Sequence, residues 1–520
     1  MRFLTIVPLS LILVTWPLGD SVQGSKILSV FPFPGKSQYI FILPLLHNLA
    51  EKGHEVTSIS VFPQDKPMKN FRDIIINENA KIYEGYTEEA ALGLNKSILE
   101  ELLDFSIMGE QALSNVFEHP KVKEIMKSET FDLVIMEIIG TEALLGLGQH
   151  FQAPTIAVST FPAMHFIDYL VGNPSPSSYI PHISIPYGNH MSFRQRVANI
   201  LAEIQDVLSH RYYVLPKQRN LYEKYFPSAE LNFDEARRNV SLVLVNDHFT
   251  LRHPRPCVPN MIEVGGLHIK QQPNSLSQEL QEFLDTATEG AIYFSLGSNV
   301  KSKDLPQETQ QAILESFRDL KIKVLWKFEG ENLPNKPANV LIRKWFDQQS
   351  VLAHPNVKMF ISHGGFLSTT ETIFHGKPVL AIPILGDQPM NAKNAVTAGF
   401  ALSMELSEIS KENFTKSIRE VWTKPKYSEA AKRLSQRFRD KPMTPMDTAL
   451  YWVEYVLRNK GAPYMRNAGQ DLTFMEFHNL DVYIVISVII LTSFVIVIQV
   501  FCLLQRLVLR TFKQPKIKRN

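Results

Sequence analysis

The stretch FISHGGFLSTTETIFHGKPVLAIPILGDQPMN runs from Phe360 to Asn391 and decides the fold. Val357 to Ile361 has the make-up of a short buried strand, and Ser362-His363-Gly364-Gly365 turns the chain. Leu367 to His375 reads as a helix, with Gly376 where a C-terminal glycine belongs. Val379 to Ile382 is a second buried strand, and Gly386-Asp387-Gln388 is the next turn. A strand, a glycine turn and a helix start bring free backbone N–H groups and the positive end of the helix dipole to one spot, which suits phosphate. His363 can add a hydrogen bond or, if protonated, a charge.

The same grammar extends on both sides. Ala291 to Ser295 is a strand followed by the turn Leu296-Gly297-Ser298, then a helix from about Pro306 to Leu320 and a strand from Lys323 to Phe328. Val340 to Lys344 leads into Trp345-Phe346-Asp347-Gln348-Gln349. In the first half, Lys26 to Phe31 is a strand, Pro32 to Gln38 a loop, Tyr39 to Lys52 a helix kinked at Pro44, and His54 to Ser60 a strand. His54 opens that strand and reads as structural. Glu78 to about Phe117 reads as helical. Phe131 to Met136 is a buried strand ending in Glu137, a carboxylate placed where core packing does not want one. Gly146-Leu147-Gly148 lacks the third glycine of a dinucleotide fingerprint and reads as helix packing. Val171 to Pro181 is a long loop, and Leu242 to Asn246 is the last clear strand of this half. Two successive β/α halves joined by a polar linker predict two Rossmann-like domains facing a cleft, with ligands at the carboxyl ends of the strands.

The whole stretch resembles the signature of the UDP-glycosyltransferase family: F-I-[TS]-H-G-G, a glutamate, H-G-x-P, and D-Q, all present in order. The G-G-x-L-S-T variant resembles the insect branch. The resemblance covers nearly the full chain and implies the GT-B architecture. It implies that Trp345 stacks on uracil, that Gln348 and Glu371 bind base and ribose, that Ser298, His363, Gly365 and Ser368 hold the phosphates, and that Asp387 and Gln388 bind the sugar. Many relatives carry Asn-Gly where this chain has Leu367-Ser368. The family inverts the sugar carbon by direct displacement, with a first-loop His as base and an acidic residue orienting it. Gln38 occupies the His position and Glu137 the acidic one, and Gln accepts no proton at neutral pH. Glu137 acting as the base itself is then an expectation. No Asp-x-Asp occurs, so no metal and no cofactor beyond the UDP-sugar co-substrate is expected.

The implied activity is hexose transfer from UDP-glucose or a related UDP-sugar to a small lipophilic acceptor, glucose ahead of glucuronate. A non-catalytic UDP-sugar-binding membrane protein, partnered with active relatives, is the alternative. No nucleophile elbow supports a serine hydrolase. A net charge of +2 over 520 residues does not suggest a nucleic-acid partner, and two cysteines, Cys257 and Cys502, make no disulfide framework. Homo- or hetero-oligomerisation stays open.

The termini carry targeting information. Residues 1–24 read as a signal peptide, with a retained anchor as the alternative. The domains follow as 25–268 (acceptor-binding), 269–288 (linker) and 289–460 (UDP-sugar-binding), then a membrane-proximal segment over 461–481. Residues 482–504 are uncharged and long enough to cross about 30 Å of hydrocarbon. The basic tail 505–520 predicts a cytosolic end and a type I topology with lumenal domains. Lys516 and Lys518 resemble a dilysine retrieval signal for the endoplasmic reticulum, against the plainer reading of a basic flank. Asn95, Asn239 and Asn413 head glycosylation sequons.

Overall fold

The computed structural model describes residues 24–91 and 97–512. Residues 1–23 of the signal-peptide reading, Asn95 and the tail lysines Lys516 and Lys518 lie outside the described residues. Residues up to Arg466 form one compact unit, and those from Asn467 onward form a second.

The first unit holds two parallel sheets. The seven-stranded sheet comprises β1 (Lys26–Val30), β2 (Glu55–Ser60), β3 (Phe71–Ile75), β4 (Leu133–Glu137), β5 (Thr155–Ser159), β6 (Leu242–Val245) and β7 (Met261–Glu263). Its order is β3-β2-β1-β4-β5-β6-β7. The six-stranded sheet comprises β8 (Ala291–Ser295), β9 (Lys323–Lys327), β10 (Val340–Arg343), β11 (Val357–Ser362), β12 (Val379–Ala381) and β13 (Ala401–Ser403), in the order β10-β9-β8-β11-β12-β13. Each half thus repeats the doubly wound 3-2-1-4-5-6 order, with its switch point between the first and fourth strands. The central strands are mostly apolar because helices cover both faces, and β4, β5 and β8 are buried at every residue.

The helices that matter below are α1 (Lys36–Glu51), α2 (Ile98–Glu118), α3 (Phe193–Ser209), α4 (Phe366–His375), α5 (Gln388–Thr397), α6 (Pro445–Arg458) and α7 (Leu480–Phe512). Helix α1 starts at Lys36, so Lys36, Ser37 and Gln38 form its first turn rather than part of a loop. Gly35 caps it without a side chain, so the sequence held no capping signal there. Pro44 sits inside α1, and the segment 78–117 divides into a 3-10 turn and two helices, the second being α2. The Gly146 position confirms packing: a Cβ there would meet the Phe226 ring at 2.1 Å. Helix α6 follows the second sheet in the chain but packs on the first. Ala449, Leu450, Val453 and Val456 join Leu45, Leu46 and Leu49 of α1 in one core, with Lys52 and Glu454 paired at 2.7 Å.

In the second unit, the span Leu480–Thr511 is 32 residues with a mean hydropathy of 2.9 in its most apolar window. At about 1.5 Å per residue it exceeds the roughly 30 Å of a bilayer core. It starts before and ends after the 482–504 read from sequence.

Candidate functional site

The site forms where the two switch points face one another. On the second sheet, β11 ends at Ser362, whose Oγ accepts from Gly364 N at 3.1 Å. Gly364 has φ +79, a conformation that favours glycine, and Gly365 caps α4 with no side chain, leaving first-turn N–H groups free for an anion. The His363 ring is wedged between Gly297 and Gly365. A Cβ on either glycine would stand 2.4 or 2.3 Å from His363 Nε2, so both positions require glycine. Burial, with the Lys327 ammonium adding to it, pushes the His363 pKa down to about 4. The ring is therefore neutral at pH 7 and offers a hydrogen bond, not the charge that sequence allowed. Its Nδ1 is buried without a hydrogen-bond partner among the described residues, a cost that functional sites carry.

Deeper along α4, Glu371 is 5% exposed. Gln348 Nε2 donates to Glu371 Oε2 at 2.6 Å and to Ser368 Oγ at 3.0 Å, and His268 Nε2 stands 3.3 Å from Glu371 Oε1. Trp345 is 46% exposed, and Lys36 Nζ sits 3.6 Å from its ring centroid. Burial and the nearby Lys327 lower the Lys36 pKa. An ammonium from the first half thus covers the indole assigned to the base. Gln388 Oε1 accepts from Ile384 N at 2.8 Å and Leu385 N at 3.1 Å, so its carbonyl closes the loop after β12. Asn391 Nδ2 donates to Asp387 Oδ2 at 2.7 Å and to Gly364 O at 3.0 Å, tying that loop to the glycine turn. Burial raises the Asp387 pKa.

On the first sheet, Glu137 ends β4 fully buried. Thr160 Oγ1 donates to its Oε1 at 2.9 Å. Burial pushes its pKa up to about 8, with the bonds from Thr160 and the neighbouring Gln38 acting the other way. Its Oε2 makes no bond of normal geometry, so Gln38 is a neighbour rather than a firm partner. The Gln38 amide lies back over Gly35, where a Cβ would fall 1.6 Å from its Oε1, and it also neighbours the buried Tyr83 hydroxyl. Gln38 thus faces the cleft, with Glu137 enclosed behind it and protonated at neutral pH. That arrangement does not suit the expectation that Glu137 meets the acceptor directly.

A cavity of about 270 Å³ joins the two halves. Gln38, Ser298, His363, Gly365, Ser368, Asp387 and Gln388 line it. Glu137, Trp345, Gln348 and Glu371 do not; Gln348 bonds to the lining residue Ser368, and Glu371 is tied to it through Gln348. Much of the remaining wall is apolar and aromatic, including Phe105, Phe161 and Phe166. Two acid–imidazole pairs unmarked in the sequence reading border it, through His182, Asp206 and His210, with Glu142 behind His210. His210 Nε2 donates to the buried Glu142 Oε1 at 2.7 Å, and His182 Nε2 to Asp206 Oδ2 at 3.1 Å. Lys36 and Asn391 were missed too. No local spacing marks them, because each acts across the cleft or between loops. Among the described residues no group of three or more His, Cys, Asp or Glu could hold a metal ion. Of the sequons, Asn239 and Asn413 are exposed.

The family model described as UDP-glucoronosyl and UDP-glucosyl transferase matches residues 30–515. UDP-glucosyltransferase 2 of Dactylopius coccus is 36% identical over 487 residues, covering 93% of this chain and 94% of that relative. UDP-glucuronosyltransferase 1A6 of Mus musculus is 29% identical over 505 residues, covering 94% and 92%. Among solved structures, the calicheamicin glycosyltransferase CalG4 superposes with a TM-score of 0.58 at 16% identity, covering 84% of this chain and 99% of that one. A UDP-glucose: anthocyanidin 3-O-glucosyltransferase in complex with UDP gives 0.55 at 16% identity, covering 84% and 100%. These likenesses carry the fold, which is GT-B.

Proposed function

Because the chain belongs to the UDP-glucuronosyl and UDP-glucosyl transferase family, we propose that it transfers a hexose, glucose rather than glucuronate, from a UDP-sugar to small lipophilic acceptors with inversion. One observation carries this reading: the phosphate turn, the sugar loop and Gln38 line a single cavity between the carboxyl ends of two parallel sheets. The acceptor oxygen bonds to the sugar carbon as the bond from that carbon to the diphosphate breaks. Charge building on the diphosphate meets the first-turn N–H groups of α4 and the neutral His363 ring, a preorganised site that needs no metal. Trp345, Gln348 and Glu371 hold the nucleoside, with Lys36 moving off the indole as the base arrives.

The acceptor side sets the acceptor class. Gln38 can orient an acceptor hydroxyl through its amide oxygen but cannot take its proton. Glu137 acts behind Gln38 as a positioning residue, a carboxylic acid up to a pH of about 8. The acceptor must therefore supply its own anion, or attack before losing a proton as an amine does. Phenols and other acidic hydroxyls fit, plain alcohols do not, and the aromatic wall suits them. We place the chain in the membrane of the endoplasmic reticulum through α7, single-pass, with both sheets lumenal; the tail lysines support that reading. The alternative, a UDP-sugar-binding protein without transferase activity, is favoured by the same Gln38. Transfer assays with UDP-glucose and UDP-glucuronate against phenols, amines and alcohols decide between them.

A further inference from the structure

Helix α3 is inside out. Its two buried residues are the polar Asn199 and Asp206, and most of its large apolar side chains are exposed. Asn199 Nδ2 donates to Ser177 O and Ile180 O, both at 2.9 Å, and Asn199 Oδ1 accepts from His182 N at 2.7 Å. Asp206 Oδ2 pairs with His165 at 2.9 Å and with His182 at 3.1 Å. Asn199 and Asp206 are only 1% and 4% exposed. The other face carries Phe193, Val197, Ile200, Leu201, Ile204 and Leu208 at 42–73% exposure, with Phe193 at 73% and Leu201 at 61%. Tyr212, at 70%, continues the line into the π-helical segment His210–Val214. At roughly 100° per residue these positions fall within one stripe about a third of the circumference wide. The stripe runs about 28 Å along the axis. A helix on a water-facing surface has the opposite arrangement, and scattered exposed apolar residues do not align this way.

The charges name the occupant. The exposed charged residues between 193 and 212 are Arg194, Arg196 and Arg211, none in a salt bridge among the described residues. Arg194 and Arg196 fall on opposite flanks of the stripe. Both carboxylates of the segment, Glu203 and Asp206, are withdrawn from the exposed face. An apolar stripe between arginines, without exposed acid, matches a helix lying in the interface plane of a bilayer, apolar face down and cations at the headgroups. The same chain carries α7, long and apolar enough to span a membrane, so a bilayer is the surface at hand.

We propose that α3 is a second membrane contact, an interfacial helix whose stripe from Phe193 to Tyr212 inserts among the acyl chains of one leaflet. The stripe is argued from exposure and charge alone and does not depend on the reaction. One consequence does rest on the transferase reading: Asp206 and His210, on the inward face, line the cavity, so a lipophilic acceptor dissolved in the leaflet lies one helix away from it.

The test uses the full chain in vesicles of phosphatidylcholine with phosphatidylserine. Cys257 and Cys502 are replaced by serine, and a single cysteine carrying an environment-sensitive nitrobenzoxadiazole label is placed at Leu201→Cys, Ile204→Cys or, as control, the exposed Glu279→Cys. The proposal expects a blue shift and loss of most emission to acyl-chain spin-labelled lipid at 201 and 204, and neither at 279. Water-exposed emission at 201 and 204 in vesicles overturns it. So does a blue shift at 201 and 204 without quenching by the spin-labelled lipid, which marks a contact between copies. Unchanged UDP affinity of the labelled chains shows that they are folded. The readout is independent of sugar transfer, so an inactive chain that still shows lipid quenching fails the reaction and not the contact.

Discussion

Glu137→Gln should make the protein more stable at neutral pH. Glu137 is fully buried, and burial raises its pKa from 4.5 to about 8. In the unfolded chain the group ionises near 4.5, so folding at higher pH must put a proton back on it. That cost is zero below pH 4.5, grows by about 1.4 kcal/mol per pH unit, and stops growing near pH 8. At pH 7 it comes to about 3 kcal/mol. Glutamine has the shape of the protonated acid, and its carbonyl can still accept from Thr160 Oγ1, but it has no proton to recover. The variant should therefore match wild type at pH 4.5 and exceed it by about 2–3 kcal/mol at pH 7, less whatever its extra N–H loses in the enclosed site. Denaturant unfolding of the detergent-solubilised chain at pH 5 and pH 7.5 measures the difference. A stability difference that does not change between those pH values would mean that Glu137 is ionised throughout, and the protonated positioning role would fall. The same role predicts that Glu137→Gln keeps transfer to acidic phenols within about tenfold of wild type, whereas loss of a true general base costs roughly 10²–10⁴-fold.

His363→Ala should weaken UDP binding by about 1.5–3 kcal/mol, the scale of a hydrogen bond to a charged group; titration calorimetry showing equal affinity would remove His363 from the site. Gly297→Ala should cost about 1–2 kcal/mol of stability from its positive φ and weaken UDP further by displacing the His363 ring, both read from one set of melting curves with and without UDP. Arg255→Ala leaves the Asp168 carboxylate, paired with it at 2.5 Å, buried and uncompensated, and should destabilise by about 3–5 kcal/mol. Gln38→His should extend transfer to plain alcohols, since an imidazole can take the proton that the amide cannot; equal alcohol rates in both chains would place the base elsewhere.

Much of the architecture was legible because parallel strands buried on both faces are mostly apolar runs, as in β1, β4, β8 and β11. Strand β3 was not, since this edge strand carries Arg72 and Asp73; Arg72 reaches Thr57 Oγ1 at 2.8 Å and Glu129 Oε2 at 2.8 Å. β7 and β13 are three residues each, too short for a period. The start of α1 was hidden by Pro32, Pro34 and Gly35. Periodicity shows that α6 has an apolar face but not that it returns to the first sheet. In the site, the glycines around His363 and the ribose and sugar residues sit on one continuous stretch or on a neighbouring turn and were readable. The protonation states of His363 and Glu137 were not, because enclosure sets them. Nor were Lys36 over Trp345 or Asn391 between two loops, contacts made by residues far apart in the chain or belonging to different turns.

Transfer by the purified full chain tests the central claim most directly. With labelled UDP-glucose, the account predicts an inverted glucoside of a nitrophenol, a rate that rises with pH until the phenol is fully ionised, and little product from an aliphatic alcohol of similar size. UDP-glucose bound with ordinary affinity, yet no glucoside from any phenol, amine or alcohol, would contradict it.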